Sequence, residues 1–351
     1  MTAYPVAQPP PANTMESVLL GLLFIMSSAG ETLAVKALNY SPNPIQLPGY
    51  TAFLSNQMWL FMLPIYWYIP NKSWPTVTLW LQYIGFGILT FAITLLRNIS
   101  VNVMPGSIFA LLISTSIFFN MVLCSLLLKK NFNLWQVSAA ACCVVSAFCI
   151  GFTALFSNQE DMPGSNFALG IPAAFGAAFF VALMTVCQEY VQPRWSNLQT
   201  RLVEMSIVAS LIASALVLVY ARLTKELFVW SPELNQATTS QEGLALIVGV
   251  SIVLPVLKLL VRNTKYYIIL KSNAFFFEFV QSLAALTASI GSVLIFKEPW
   301  SYGFIVAFVM MACSFALYTW GKIVAAREKK TLPLHDTTLN PIVKVKSADW
   351  R

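Results

Sequence analysis

Residues 273–300, NAFFFEFVQSLAALTASIGSVLIFKEPW, decide how this chain must be read. Between Ala274 and Phe296 the only ionisable residue is Glu278, and at about 1.5 Å per residue the run is long enough to cross a hydrocarbon core of about 30 Å as a helix. It stops at Lys297-Glu298-Pro299, and another apolar run follows at once. A carboxylate inside such a segment is costly, so it must line a polar cavity, find a partner or reach toward an end.

Working outward, apolar runs of about 20 residues recur over nearly all of the 351-residue chain. They place spans at 17–37, 49–69, 77–97, 105–128, 134–156, 167–190, 202–221, 243–262, 273–296 and 300–324. Composition agrees: 58% of residues are hydrophobic and 10% charged, with a mean hydropathy of +0.70, whereas soluble domains carry about 25% charge. The expected fold is an all-α integral membrane protein with ten transmembrane helices. Of the 21 Lys and Arg residues, fifteen fall on one side of these spans and five on the other, with Lys258 inside a span. That excess marks the cytosolic side, which takes both termini. Neither the plasma membrane nor an organelle membrane is singled out.

The chain also resembles itself. Leu127-Leu128-Lys129-Lys130-Asn131-Phe132 and the run to Phe152 can be laid on Ile295-Phe296-Lys297-Glu298-Pro299-Trp300 and its run to Trp320, at a shift of 168 residues that also pairs Ser114 with Ser282 and Ser146 with Ser314. Five spans per half is an odd number, so the second half enters the membrane upside down, the inverted-repeat plan of many secondary transporters. The expected organisation is a disordered cytosolic N-terminus (1–16), a first five-helix repeat (17–156), a non-cytosolic linker (157–166), a second repeat (167–325) and a disordered cytosolic tail (326–351).

Other classes find little support. The formal charge of +7 is spread singly between apolar runs, so no nucleic-acid partner is expected. All six cysteines fall inside apolar spans, which argues against a disulfide framework. The only histidine, His335, is in the tail, and no cluster has metal-ligand spacing. No catalytic residue, metal site or cofactor is expected, and the chain does not read as an enzyme. Its expected partners are the lipid bilayer, a small-molecule substrate and, for coupling, protons; it would act as a monomer or homodimer.

Phe296-Lys297-Glu298-Pro299-Trp300, running into Gly303 and a small-residue helix, resembles the Glu-Pro step between the last two helices of the drug/metabolite transporter superfamily. In the first half Lys130 occupies the acidic position. The stretch from Pro105-Gly106-Ser107 through Leu112 to Asn120 and on to Lys130-Asn131-Phe132 looks most like the plant purine permeases. The first span leading to Tyr40, and a second ending Ile65-Tyr66-Trp67-Tyr68-Ile69-Pro70, also resemble the chloroquine-resistance-transporter-like branch, whose cysteine-bearing loop between spans seven and eight is absent. The likeness covers roughly residues 17–325. It implies secondary-active transport of a small polar organic solute, a purine-like heterocycle or related metabolite, by alternating access, and implies proton coupling. The alternatives are an organellar carrier of cationic or peptide-like metabolites, a channel, or a non-transporting membrane protein.

Candidate residues follow from depth. Glu31, with Ser27, Ser28 and Thr32 on nearby turns, reads either as a substrate or proton-coupling carboxylate or as one satisfied by Lys36 or a neighbouring hydroxyl. Glu278 and Lys258 lie at similar depth near the cytosolic ends of their spans, so the pair could lock or gate the carrier, while Lys258 could equally snorkel with Arg262. Asn56 and Gln57 in span two, Ser114, Thr115, Ser116 and Asn120 in span four, and Gln281 in span nine could bond a heterocycle or join helices.

Overall fold

The computed structural model describes residues 14–39, 47–70, 74–156, 167–224, 241–297 and 302–331. The Glu298-Pro299-Trp300 step, Tyr40, the linker 157–166 and residues 1–13 and 332–351 lie outside those residues, whereas 14–16 and 326–331, expected to belong to disordered ends, are helical. Among the described residues there are twelve α-helices, one 3-10 turn at Gln192–Arg194 and no strand. They are α1 (Thr14–Asn39), α2 (Pro48–Asn56), α3 (Trp59–Tyr68), α4 (Val77–Val103), α5 (Gly106–Ile113), α6 (Ser116–Leu128), α7 (Leu134–Phe156), α8 (Phe167–Val191), α9 (Leu198–Leu223), α10 (Gln241–Lys271), α11 (Ala274–Phe296) and α12 (Tyr302–Thr331).

Among the described residues, seven helical stretches are long and apolar enough to cross a membrane: Val18–Leu38, Val77–Val103, Ile108–Leu128, Phe167–Arg194, Leu198–Leu223, Leu244–Lys271 and Ala274–Phe296. The chain is a multi-pass, all-α integral membrane protein. Helices prevail because hydrocarbon supplies no hydrogen-bond partner, so the backbone must satisfy itself locally. The side chains follow the same solvent logic: Leu19, Met26, Leu126, Ile252 and Leu294 face outward, while Glu31, Arg201, Glu204, Arg262 and Glu278 are buried.

Two of the expected span ends are too early. The helices α4 and α10 run on to Val103 and Lys271, past the ends expected at 97 and 262. An apolar-run reading halts at a cation, but a helix continues through one that faces protein instead of lipid. Arg97, Arg262 and Lys265 therefore lie within helices and not in connections.

Helix ends are set by identifiable residues. Asn133 and Gln136 form a reciprocal cap at the start of α7: Gln136 N–H donates to Asn133 Oδ1 at 2.9 Å, and Asn133 N–H to Gln136 Oε1 at 3.1 Å. The Asn273 side chain accepts from Phe276 N–H at 2.6 Å and starts α11. Lys129 and Lys297 end α6 and α11 in the left-handed region, at φ 53° and 55°.

Two helices are interrupted. Between α2 and α3, and again between α5 and α6, bonds of the tighter three-residue type bridge the gap, among them Leu60 N–H to Gln57 O and Ile117 N–H to Ser114 O. Mid-helix tightening of this kind marks hinges and strained positions.

In packing, α1 lies against α10 and α11, while α8 lies against α4, α5 and α6. α4 packs on α9 and α10 on α2; α7 and α12 pair with each other. The α4–α9 crossing is close at Gly87, where a Cβ would meet Ile212 Cβ at 2.8 Å. Gly87→Val should lower stability by about 1–3 kcal/mol through overpacking. Gly249→Ala, with nothing within 4 Å, should leave it unchanged or slightly higher. Thermal unfolding of the two detergent-solubilised variants beside the native protein checks both.

Candidate solute site

A cavity of about 120 Å³ lies among α1, α4, α5, α8, α10 and α11. One face is polar. On α4, Thr90, Thr94 and Arg97 follow one another at helical spacing of four and three residues, and on α10 Lys258, Arg262 and Lys265 do the same. The other face is apolar, with Phe109 of α5 and Phe277 of α11.

Glu31 is the hub of the polar face, although its own side chain stands behind the lining. Its Oε2 accepts from Arg97 Nη1 at 3.0 Å and its Oε1 from Lys258 Nζ at 2.9 Å. Arg97 Nη2 also donates to Thr32 Oγ1 at 2.6 Å, and the guanidinium sits 6.0 Å from the Phe109 ring centroid. One carboxylate thus joins α1, α4 and α10.

The neighbouring cations are held differently. Arg262 donates to Ser210 Oγ at 2.9 Å, Thr90 Oγ1 at 3.0 Å and Ser206 O at 3.3 Å. Lys265 Nζ stands 5.1 Å from the Phe277 ring centroid. Among the described residues, neither has a carboxylate within ion-pair distance.

Behind Phe277 and Gln281 lies the second buried carboxylate. Glu278 accepts from Ser116 Oγ at 2.5 Å and from Asn120 Nδ2 at 3.4 Å, so α11 is bonded to α6 immediately after the α5–α6 interruption. Among the described residues no Lys or Arg is within ion-pair distance of it. Lys258, which the sequence places at a similar depth to Glu278, turns instead to Glu31. Lys36, the other partner offered to Glu31, donates to Met104 O at 2.7 Å and Val101 O at 3.3 Å, where it closes the end of α4.

Of the remaining sequence candidates, Gln281 lines the cavity, whereas Asn56, Gln57 and Ser114 do not. Asn56 and Gln57 stand at the α2–α3 interruption, where Ser214 of α9 donates to Asn56 O and accepts from Gln57 Nε2, both at 3.4 Å. Ser114 Oγ returns to Ala110 O at 3.2 Å. Thr115 Oγ1 returns to Leu112 O at 2.8 Å. Glu204 belongs to a separate cluster, accepting from Arg201 at 2.7 Å and from the Tyr83 hydroxyl at 3.0 Å.

Arg97, Arg262, Lys265, Phe109 and Phe277 are site residues that span-by-span reading misses. A signal exists: a shift of 168 residues lays Thr90, Thr94, Arg97 and Phe109 on Lys258, Arg262, Lys265 and Phe277.

Removing the hub carboxylate leaves two cations without compensation, a loss of about 3–5 kcal/mol for a buried pair. Glu31→Gln should therefore lower the unfolding midpoint of the detergent-solubilised protein. Glu31→Gln combined with Lys258→Met should recover part of the stability, a non-additivity that a double-mutant cycle measures.

Against curated proteins the sequence gives no match. A crystal structure of a protein superposes on 90% of this chain and 100% of its own with a TM-score of 0.58 at 14% identity, a likeness of fold alone. The sequence profile for purine nucleobase transmembrane transport matches residues 13–328, which includes every helix that lines the cavity. The chain belongs to the purine nucleobase transmembrane transport family.

Proposed function

We propose that this chain is a secondary-active carrier of purine nucleobases, which it holds in the α1–α4–α5–α8–α10–α11 cavity and passes across the membrane by alternating access. The observation that carries the reading is a cavity with charged and aromatic walls, buried among membrane helices of a chain from a purine nucleobase family. In this reading there are ten spans, with α2 and α3 forming one and α5 and α6 another. α1 to α7 make the first half and α8 to α12 the inverted second.

Helix ends support the repeat. At the 168-residue shift, Val103 falls on Lys271, Gly106 on Ala274, Leu128 on Phe296 and Leu134 on Tyr302, each an end or start of a helix in both halves. Both left-handed lysine caps and both cation-over-phenylalanine pairs coincide as well. Exchange of the halves maps the contacts of α1 with α10 and α11 onto those of α8 with α4, α5 and α6. Discontinuous helices beside a site shared by two halves are a recurrent feature of inverted-repeat carriers.

Roles follow from partners. Glu31 binds cations from both halves, α4 and α10, and acts as a gate whose bonds change as the halves rock. Glu278, held by a hydroxyl and an amide, is the group that takes up the coupling proton. With Lys36, Arg97, Arg201, Arg262 and Lys265, whose side chains are turned into the protein, set aside, twelve Lys and Arg remain on the side of the termini and three on the other, which supports cytosolic termini. Four cations on the cavity disfavour the alternative of a cationic solute.

Proteoliposomes test this. Labelled purine nucleobase should enter saturably and faster into vesicles preloaded with unlabelled base, and an inward proton gradient should drive accumulation. Glu278→Gln should lose the accumulation and keep the exchange. Undiminished accumulation by that variant would remove Glu278 from coupling, and absence of exchange in the native protein would defeat the carrier reading.

A further inference from the structure

We infer that the solute is an oxopurine, read through its carbonyl oxygens and ring nitrogens, and carried preferentially as the anion. The inference rests on the purine-carrier reading and adds a substrate class to it. Four side chains on the cavity, Arg97, Lys258, Arg262 and Lys265, are donors with no acceptor atom.

Few acceptors face them. Thr90 Oγ1 spends its proton on Phe86 O at 2.7 Å and receives Arg262, while Thr32 Oγ1 donates to Ser28 O at 3.2 Å and receives Arg97. Thr94 Oγ1 likewise donates to Thr90 O at 2.7 Å. Gln281 makes no hydrogen bond among the described residues, so its amide is left for the solute along with the surplus of cationic donors.

An exocyclic amino group, as in adenine, would bring two more donors into this wall and leave them unmatched, at the cost of unpaired buried polar groups. A carbonyl at the same ring position accepts from it. Lys and Arg address the adjacent carbonyl and ring-nitrogen acceptors of a purine, whereas Gln addresses the amino edge; here cations outnumber the glutamine four to one.

Charge adds to this. Of the four, Arg97 and Lys258 share a carboxylate, whereas Arg262 and Lys265 are buried with no carboxylate at ion-pair distance among the described residues, a charge that a bound anion would compensate. Size limits the solute. A cavity of about 120 Å³ is on the scale of one that takes a benzene ring, closer to a bare base than to a nucleoside or nucleotide.

The test is counterflow uptake by the full chain in proteoliposomes, with labelled hypoxanthine, xanthine, urate and adenine compared on one preparation. Oxopurines should exceed adenine by about tenfold or more. Xanthine should gain on hypoxanthine as alkaline medium ionises it. Lys265→Met should cut the oxopurine-to-adenine ratio by about tenfold. Lys265→Arg should keep it. The ratio does not depend on how much of a variant folds. Adenine equal to or better than the oxopurines, or a ratio unmoved in Lys265→Met, overturns the inference and leaves the purine-carrier reading standing. Flux of none of the four bases overturns both.

Discussion

Ionised side chains among membrane helices must compensate one another, because nothing in the surrounding hydrocarbon will. Glu31 does this for two cations at once. Its carboxylate divides between Arg97 of α4 and Lys258 of α10 while its own backbone belongs to α1. The three helices are distant in sequence and are joined by charge beside the cavity, so its polar wall and the contact among α1, α4 and α10 are one feature. A hydrophobic triad of similar volume would pack as firmly, as buried ion pairs seldom exceed good packing in stability. A triad of charges can exchange partners with a passing solute, which an apolar one cannot.

The second carboxylate has a different environment. Glu278 meets a hydroxyl and an amide from α6, next to the α5–α6 interruption. Hydrogen bonds of this type join membrane helices at modest energy, about 0.6–2 kcal/mol each, so they hold without locking. The two carboxylates thereby differ, one bridging α1, α4 and α10 and the other joining the helix that carries Phe277 and Gln281 to α6.

Much of the fold was legible because lipid demands a signal that sequence carries openly: long apolar runs with sparse charge. Helices such as Leu134–Phe156 and Ala274–Phe296 could be placed in this way, because their ends appear as polar punctuation. The site was less legible, for a related reason. Arg97 and Arg262 resemble span ends when hydropathy is read along the chain, and only the continuous helices α4 and α10 show that they face inward. Glu31 and Gln281 stood out because they interrupt apolar helices. Asn56 and Gln57 interrupt one equally, yet the structure turns them to α9 and the α2–α3 break, a choice governed by helix rotation. Rotation is decided by neighbours far away in sequence, such as Ser214, and leaves little local trace.

The internal likeness gives the site its shape. Arg97 over Phe109 and Lys265 over Phe277 repeat one device at a shift of 168 residues, so in the proposed carrier a planar solute between them would meet a ring and a cation from either side. The two pairs differ in their ion pairing: Glu31 holds Arg97 in a salt bridge, whereas Lys265 has no carboxylate within ion-pair distance among the described residues. In the proposed alternating-access cycle, such asymmetry would let one site present different partners to a solute as the halves rock.

The most direct measurement of that central claim is side-specific chemistry at the cavity wall. A Gln281→Cys variant, treated with a membrane-impermeant thiol reagent from each face of the membrane in turn beside the native protein, should be modified from both faces, and bound purine should slow both reactions. Modification from one face only under every condition, or at a rate indifferent to purine, would contradict a solute site exposed alternately to the two sides.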